Sequence, residues 1–412
     1  MSATDPSPFN ASDLARIVAA APHRLLFLGG ATAVLLSMLW WSLWLTLQRF
    51  GAPPMPQPLL PAGWAHAIGM QYQALPMFMF GFLLTVFPRW MGLKPYAIAQ
   101  YVPVGACLFL GYMLLHLGLM GWPTLVHLGL VLSIIGWLIG WSLLARLLWL
   151  DGGRTWHAIS CWVALSMGLL GLLLTARYLH GADAIELFGA IKIRTFGLLL
   201  PVFLTVCHRM LPFFSQGVIV GYQSYRPAWV LVALLSLVYT HLLLELAHAY
   251  AWLWLVDAPI AALSALLVWR WRFWAARKVR LLWVLHLAFA WLPIAFTLYA
   301  VQSLCFAISG QFLLGRAPVH VLTVGFFGSM LVAMVTRVTQ GHSGRPLEMG
   351  RIPWICFLLV QIVVLLRVAA ELLPDAGAWL AVAAWAWVLA FLPWVLRSVW
   401  IYLRPRIDGK PG

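Results

Sequence analysis

The sequence predicts an all-α polytopic membrane protein of about twelve transmembrane helices with both termini in the cytoplasm. Three observations carry this expectation. Of 412 residues, 63% are hydrophobic and 9% charged, with a mean hydropathy of +0.92; an ordinary soluble domain is about half apolar and a quarter charged. Twelve apolar runs reach the ~20 residues that a spanning helix needs. The basic residues fall almost wholly on one side of those runs. The same composition excludes a disordered chain, a coiled coil, collagen and a disulfide scaffold.

In chain order the runs cover roughly 24–48 (α1), 65–87 (α2), 98–120 (α3), 123–149 (α4), 156–178 (α5), 187–208 (α6), 227–248 (α7), 250–270 (α8), 281–302 (α9), 317–337 (α10), 352–372 (α11) and 378–402 (α12). Helix-stopping chemistry marks several breaks: GAPPMPQP at 51–58, Gly121–Trp122–Pro123, Asp151–Gly152–Gly153 and Leu373–Pro374. Between α7 and α8 the only break lies around His248–Tyr250. Residues 1–23 then form a cytoplasmic N-terminal segment, 24–402 a single twelve-helix transmembrane domain and 403–412 a cytoplasmic tail. The N-terminal segment carries Asp5 and Asp13 and no early basic cluster before an apolar stretch. It does not read as a cleavable signal, so α1 is expected to act as the membrane signal.

Twenty-six Lys and Arg against 11 Asp and Glu give a formal charge of +15. In a soluble chain that excess would suggest nucleic acid; here it reads as topology, and no nucleic-acid partner is expected. Arg49, Arg177 and Arg316 are the only basic residues on one side, and Lys192, Arg194 and Arg367 fall inside helices. The other twenty lie in the even-to-odd loops and the termini. The positive-inside rule puts that side in the cytoplasm. Trp40, Trp41, Trp44, Trp122, Trp252, Trp254, Trp400 and Tyr402 lie near helix ends, as interfacial anchors do. The five cysteines are scattered without a CxxC pair, which reads as buried small hydrophobes. No phosphate loop, dinucleotide fingerprint or serine elbow is visible, and the glycine pairs suit helix packing.

The chemistry-bearing residues are ionisable groups at membrane depth, which are costly and usually functional. Twelve histidines sort into two layers. His66, His116, His127, His180, His241, His248 and His320 lie toward the outer side. His23, His157, His208, His286 and His342 lie toward the cytoplasm. On α7, His241, Glu245 and His248 are spaced four and three, so they share one helical face. Such a set can supply part of a copper or non-haem iron site; the alternative is an interfacial polar stripe. Lys192 and Arg194 lie two residues apart inside α6 and point different ways, so at least one is expected to find a buried anionic partner, with Glu186 and Glu245 as candidates. In the cytoplasmic layer, His23–Arg24, His208–Arg209, Arg337, His342 and Arg345 bring imidazoles and guanidiniums from three helix ends. They could ligate a metal or bind carboxylates by bidentate hydrogen bonds, or simply reflect the positive-inside excess and a capping turn at 341–346.

Residues 320–347, HVLTVGFFGSMLVAMVTRVTQGHSGRPL, resemble the signature of the NnrS family of membrane proteins. That signature reads H-x-L-T-V-G, M-x-x-R and G-H-x-G-R-P-L. It is matched by His320, Leu322, Thr323, Val324, Gly325, Met334, Arg337, Gly341, His342, Gly344, Arg345, Pro346 and Leu347. Partial matches are Pro22–His23–Arg24, Gly81 to Thr85 through Pro88, Trp90–Met91–Gly92, and Arg209–Met210–Leu211–Pro212–Phe213. One departure stands out: where the family often has H-x-H-E-M opening α2, this chain has His66-Ala67-Ile68-Gly69-Met70. A histidine and a glutamate are absent, which alters any metal site that uses them.

The resemblance implies a haem- and copper-containing protein of the bacterial inner (cytoplasmic) membrane, associated with denitrification and the response to nitric oxide and nitrosative stress. The implied cofactors are a b-type haem, with copper or non-haem iron as a second metal. The implied partners are the lipid bilayer and nitric oxide; an electron donor and the oligomeric state stay open. His66 and His320, at similar depth on different helices, can clamp a haem iron axially, and haem propionates join the candidate partners of Lys192 and Arg194 and of the cytoplasmic arginines. The layout is analogous to the catalytic subunit of haem–copper oxidases, which also draws haem ligands from its second and tenth helices. Here α10 holds only His320 within 317–337, which argues against oxygen-reductase chemistry. Whether nitric oxide is turned over as by an oxidoreductase, bound or sensed stays open. The rival readings are a secondary transporter of an anion or metal complex, to which Lys192, Arg194 and Arg367 would suit, and an assembly factor for a metalloenzyme.

Overall fold

The structure, a computed structural model, describes residues 11–51, 55 and 59–409. Residues 1–10 of the expected N-terminal segment, most of the GAPPMPQP break and Lys410 lie outside the described residues. The described residues form helices without a strand. The spans are α1 Pro22–Phe50, α2 Ala62–Met91, α3 Ile98–Gly118, α4 Pro123–Leu150, α5 Trp156–Leu179, α6 Ala184–Gln216, α7 Ala228–Leu246, α8 Trp254–Arg270, α9 Arg280–Ser309, α10 Ala317–His342, α11 Arg351–Leu372 and α12 Ala376–Tyr402. Eleven are long and apolar enough to cross a bilayer; α8, at 17 residues, is the short one. A helical turn, Tyr250–Trp252, precedes it and is pinned from α9. There the Ser303 hydroxyl donates to the Tyr250 carbonyl at 2.7 Å and accepts from the Trp254 N–H at 3.0 Å.

Burial separates an inner set of helices from an outer one. In α2, α6 and α10 the most apolar stretch is 78% buried, against 39% to 61% in the other eight long spans. Every fourth helix is therefore an inner one. These three run parallel, with their N-termini at the outer end and their C-termini at the arginine-rich end, called the basic end below. Each also contains a wider, π-helical stretch: Gly69–Ala74, Ile193–Leu199 and Val321–Gly328. Such stretches insert an extra residue into a turn and recur at functional sites. Two of them are tied together, the Thr195 hydroxyl donating to Gln71 Oε1 at 3.3 Å.

At the basic end the inner helices hold one another in a closed cycle. Arg89 of α2 donates to Nε2 of His342 on α10 at 3.0 Å. Arg337 of α10 lies over the Phe214 ring of α6 at 3.9 Å, and Arg209 of α6 over the Trp90 ring of α2 at 4.4 Å. Cation–π contacts of this kind keep a guanidinium stable against an apolar wall. At the outer end, Arg49 closes on Asp375 at 2.7 Å, joining the end of α1 to the start of α12. The Arg49 hydrogen bond holds the Asp375 carboxyl below the usual carboxylate range.

Small residues set how closely the outer helices approach. Gly129 of α4 sits against α3 so tightly that a Cβ there would lie 2.4 Å from the Leu115 backbone nitrogen. That is the small-residue helix packing expected in lipid, where apolar burial alone does not drive association.

Two expected boundaries change. The α7 helix stops at Leu246 instead of 248, and His248 sits in the turn beyond it at φ 55°. The α10 helix runs on to His342, so it carries two histidines, one at each end, where the sequence placed one within the span.

Candidate cofactor cavity

The N-terminal halves of α2, α6 and α10 enclose, with α1, α11 and α12, a cavity of about 480 Å3. This is within the range of about 300–1,000 Å3 typical of small-molecule and cofactor sites. All three π-helical stretches reach its wall, through Met70 and Gln71, through Thr195, Phe196 and Leu199, and through Thr323, Val324 and Gly328. The walls are mostly apolar, and the polar groups are few: His66, His320, Lys192, Arg316, Arg367, Gln71, Thr195 and Thr323. His66 and His320 therefore come together on one space, as their shared depth suggested.

Their ring nitrogens are in different circumstances. The Nδ1 of His320 lies 2.9 Å from the Arg316 carbonyl one turn back. A carbonyl only accepts, so Nδ1 carries the hydrogen and Nε2 keeps its lone pair. Metal-binding histidines are commonly oriented through the other nitrogen in this way. His66 packs face to face on Trp41, with ring centroids 4.8 Å apart and planes 7° apart, and its buried Nδ1 has no hydrogen-bond partner. Three cations share the space. Lys192 pairs with Glu245 at 2.7 Å and Arg367 with Glu371 at 2.6 Å. With those two paired, Arg316 and the positive ends of three helices are what make the outer part of the cavity favourable to an anionic group.

Lys192 thus finds the acidic partner expected for one of the two α6 cations. Arg194 does not. It is fully buried, its guanidinium 4.4 Å from the Tyr72 ring centroid, and none of its nitrogens has a hydrogen-bond partner. Glu186 pairs instead with Arg177.

The α7 set divides. His241 is fully buried, with Nδ1 2.6 Å from Asp257 of α8 and Nε2 3.6 Å from Glu245. Asp257, His241, Glu245 and Lys192 form one chain from α8 through α7 to α6, ending at the cavity. His248 takes no part. Because α7 ends at Leu246, the four-and-three spacing no longer puts it on the same face. Instead it hydrogen-bonds the Tyr250 hydroxyl at 2.8 Å and stacks on Phe188. Among the described residues, no group of three or more His, Cys, Asp or Glu side chains is placed to hold a metal ion.

The cytoplasmic-layer residues also form two groups rather than one. His23 and His342 meet with ring centroids 4.4 Å apart, and Arg24 donates beside them to the carbonyls of Ile401 and Arg404. Arg345 lies over Trp400. His208 is elsewhere: its Nε2–H donates to the Pro227 carbonyl at 3.2 Å, and its Nδ1 faces His157 Nε2 at 3.3 Å. Arg209 and Arg337 point into the aromatic contacts described above. Several contributors went unrecognised in the sequence. Asp257 is a lone acid inside an apolar run, a signal that was available. Arg316 read only as a loop charge, and Trp41 only as an interfacial anchor.

Residues 17–406 match the protein family described as NnrS protein. The comparison with curated proteins finds no match.

Proposed function

The chain belongs to the NnrS family, and from that premise we propose that it binds haem in the outer cavity, between His66 and His320, and handles nitric oxide there in a bacterial inner membrane. The observation that carries the reading is the pair of imidazoles on two inner helices lining one cavity of about 480 Å3. The donor set fits the group. His320 offers a free Nε2, and His66 an unpartnered Nδ1. Apolar walls suit a macrocycle, and Arg316, which forms no ion pair among the described residues, suits a propionate, with Lys192 and Arg367 beside it already paired to Glu245 and Glu371. Bound haem would supply an iron able to take nitric oxide and change oxidation state. The protein's own share is to orient His320 through the Arg316 carbonyl and to fix the His66 ring against Trp41. Copper and non-haem iron are not part of this proposal, because His241 and Glu245 are engaged with Asp257 and Lys192.

The test is the absorption spectrum of the detergent-purified protein. A reduced-minus-oxidised haem signal is expected, lost in both His66→Ala and His320→Ala while each variant still inserts. Full haem content in both variants rules the pair out. A colourless parent rules haem out and favours anion transport through Lys192, Arg316 and Arg367.

A further inference from the structure

Below the outer cavity, on the axis between α2, α6 and α10, lies a second and smaller cavity of about 70 Å3. Phe78, Met79, Phe203 and Met334 are among its walls, and every residue lining it has an aliphatic, aromatic or sulfur side chain. Leu75 and Leu331 line both cavities, so two leucines stand between the chambers. Beyond the small chamber, toward the basic end, the inner helices close in the arginine–ring cycle.

A buried water needs about 2–4 polar partners. This space offers none except the weak thiol of Cys207. Yet it is several times the ~10–15 Å3 that one water requires, so it is room and not a packing fault. Apolar cavities of this kind stay dry and take up xenon or small hydrocarbons. An ion entering would forfeit its hydration with no polar partner to replace it. A neutral diatomic molecule forfeits almost nothing.

We infer that the axial cavity is a binding site for a small uncharged gas, which exchanges with the outer cavity past Leu75 and Leu331. The identity of the physiological gas as nitric oxide rests on the haem reading above; the affinity for apolar gas does not. The arrangement holds gas beside the cofactor space while keeping ions and water off the axis. It also gives gas dissolved in the bilayer a place to collect, since partition into hydrocarbon already concentrates apolar solutes there.

Xenon is the probe. Crystals of the full-length protein under xenon pressure should show an anomalous peak between Phe78, Met79, Phe203 and Met334. The peak should vanish in Val206→Phe, whose ring fills the space, and in Met334→Phe, which serves if the first variant does not fold. Ordered water in the cavity, or no xenon there in the parent, overturns the inference. So does xenon occupancy unchanged in a folded filling variant. The absorption spectrum taken on the same preparation keeps the two readings apart. Haem without axial xenon sinks the gas site alone, whereas axial xenon in a colourless protein upholds the gas site and sinks the haem.

Discussion

Replacing Glu245 by Gln removes the charge at the middle of the buried Asp257–His241–Glu245–Lys192 chain and keeps the side-chain volume. At the 2.7 Å separation from Lys192, the lost attraction is about 6 kcal/mol for an effective dielectric near 20. Desolvation of both partners offsets much of that in the parent. What the variant leaves is a Lys192 ammonium without its counter-charge and a His241 Nε2 without the carboxylate at 3.6 Å. Removing one partner of a buried pair costs about 3–5 kcal/mol. Lys192 is 25% exposed, toward the cavity, so its charge can still reach water and the loss should fall near the lower figure. The assay is reversible unfolding in mixed micelles of detergent and dodecyl sulfate, followed by tryptophan fluorescence. Glu186→Gln is the internal control: its partner Arg177 is 69% exposed, and such pairs contribute about 0–1 kcal/mol. The double variant Lys192→Met/Glu245→Leu should regain at least half of the loss, since an apolar replacement of the whole pair is often neutral. A Glu245→Gln protein as stable as Glu186→Gln would refute the reasoning.

Gly129→Ala should destabilise the same unfolding equilibrium by about 1–3 kcal/mol, because its Cβ meets the Leu115 backbone nitrogen at 2.4 Å; an unchanged midpoint would show that α3 and α4 do not pack this closely. Arg194→Met should raise the stability of the haem-free protein by about 1 kcal/mol, since relief of buried donors without a hydrogen-bond partner outweighs the lost contact with the Tyr72 ring; a clear loss of stability would mean that Arg194 has a further partner. The Arg49–Asp375 clip lowers the Asp375 pKa in the folded protein, so its contribution is present above the ordinary carboxylate range and disappears as pH falls through it. Asp375 caps α12 from a left-handed backbone, φ 57°, its side chain accepting from the Ala378 N–H; Asp375→Asn, which suits both, should therefore melt earlier than the parent at pH 6 and converge with it at strongly acid pH. Parallel melting curves at all pH values would count against the clip.

The legible part of this molecule was the part governed by bulk hydropathy and charge. Twelve apolar runs became twelve helices because each must satisfy its own backbone in lipid, and Gly121–Trp122–Pro123 and Leu373–Pro374 break them where expected. His66 and His320 could be paired because spans of known direction fix depth. Contacts between helices were harder to read. The meeting of His23 with His342 depends on how α1 and α10 pack laterally, which depth alone does not specify. The end of α7 was misplaced because LELAHAY carries no proline or glycine, and the turn there depends on Ser303 from α9. The π-helical stretches left no periodic trace, since one extra residue in a wholly apolar helix leaves hydropathy unchanged. Of the two α6 cations, of which at least one was expected to find an acid, Lys192 does so, while Arg194 meets the Tyr72 ring, a partner that spacing along the chain does not reveal.

The cycle of Arg89 on His342, Arg337 on Phe214 and Arg209 on Trp90 has a mechanical meaning. Each inner helix grips one neighbour and is gripped by the other, so none can slide along the axis without breaking two contacts. Toward the outer end α2 and α6 stay tied, through the Tyr72 hydroxyl on the Ala190 carbonyl and Arg194 over the Tyr72 ring, so α10 is the inner helix with the fewest ties there among the described residues. A group entering at the outer end therefore meets less resistance from α10 than from the tied pair α2 and α6. The wider turns Gly69–Ala74, Ile193–Leu199 and Val321–Gly328 lie between the two ends, and the basic end acts as the hub that keeps the bundle in register.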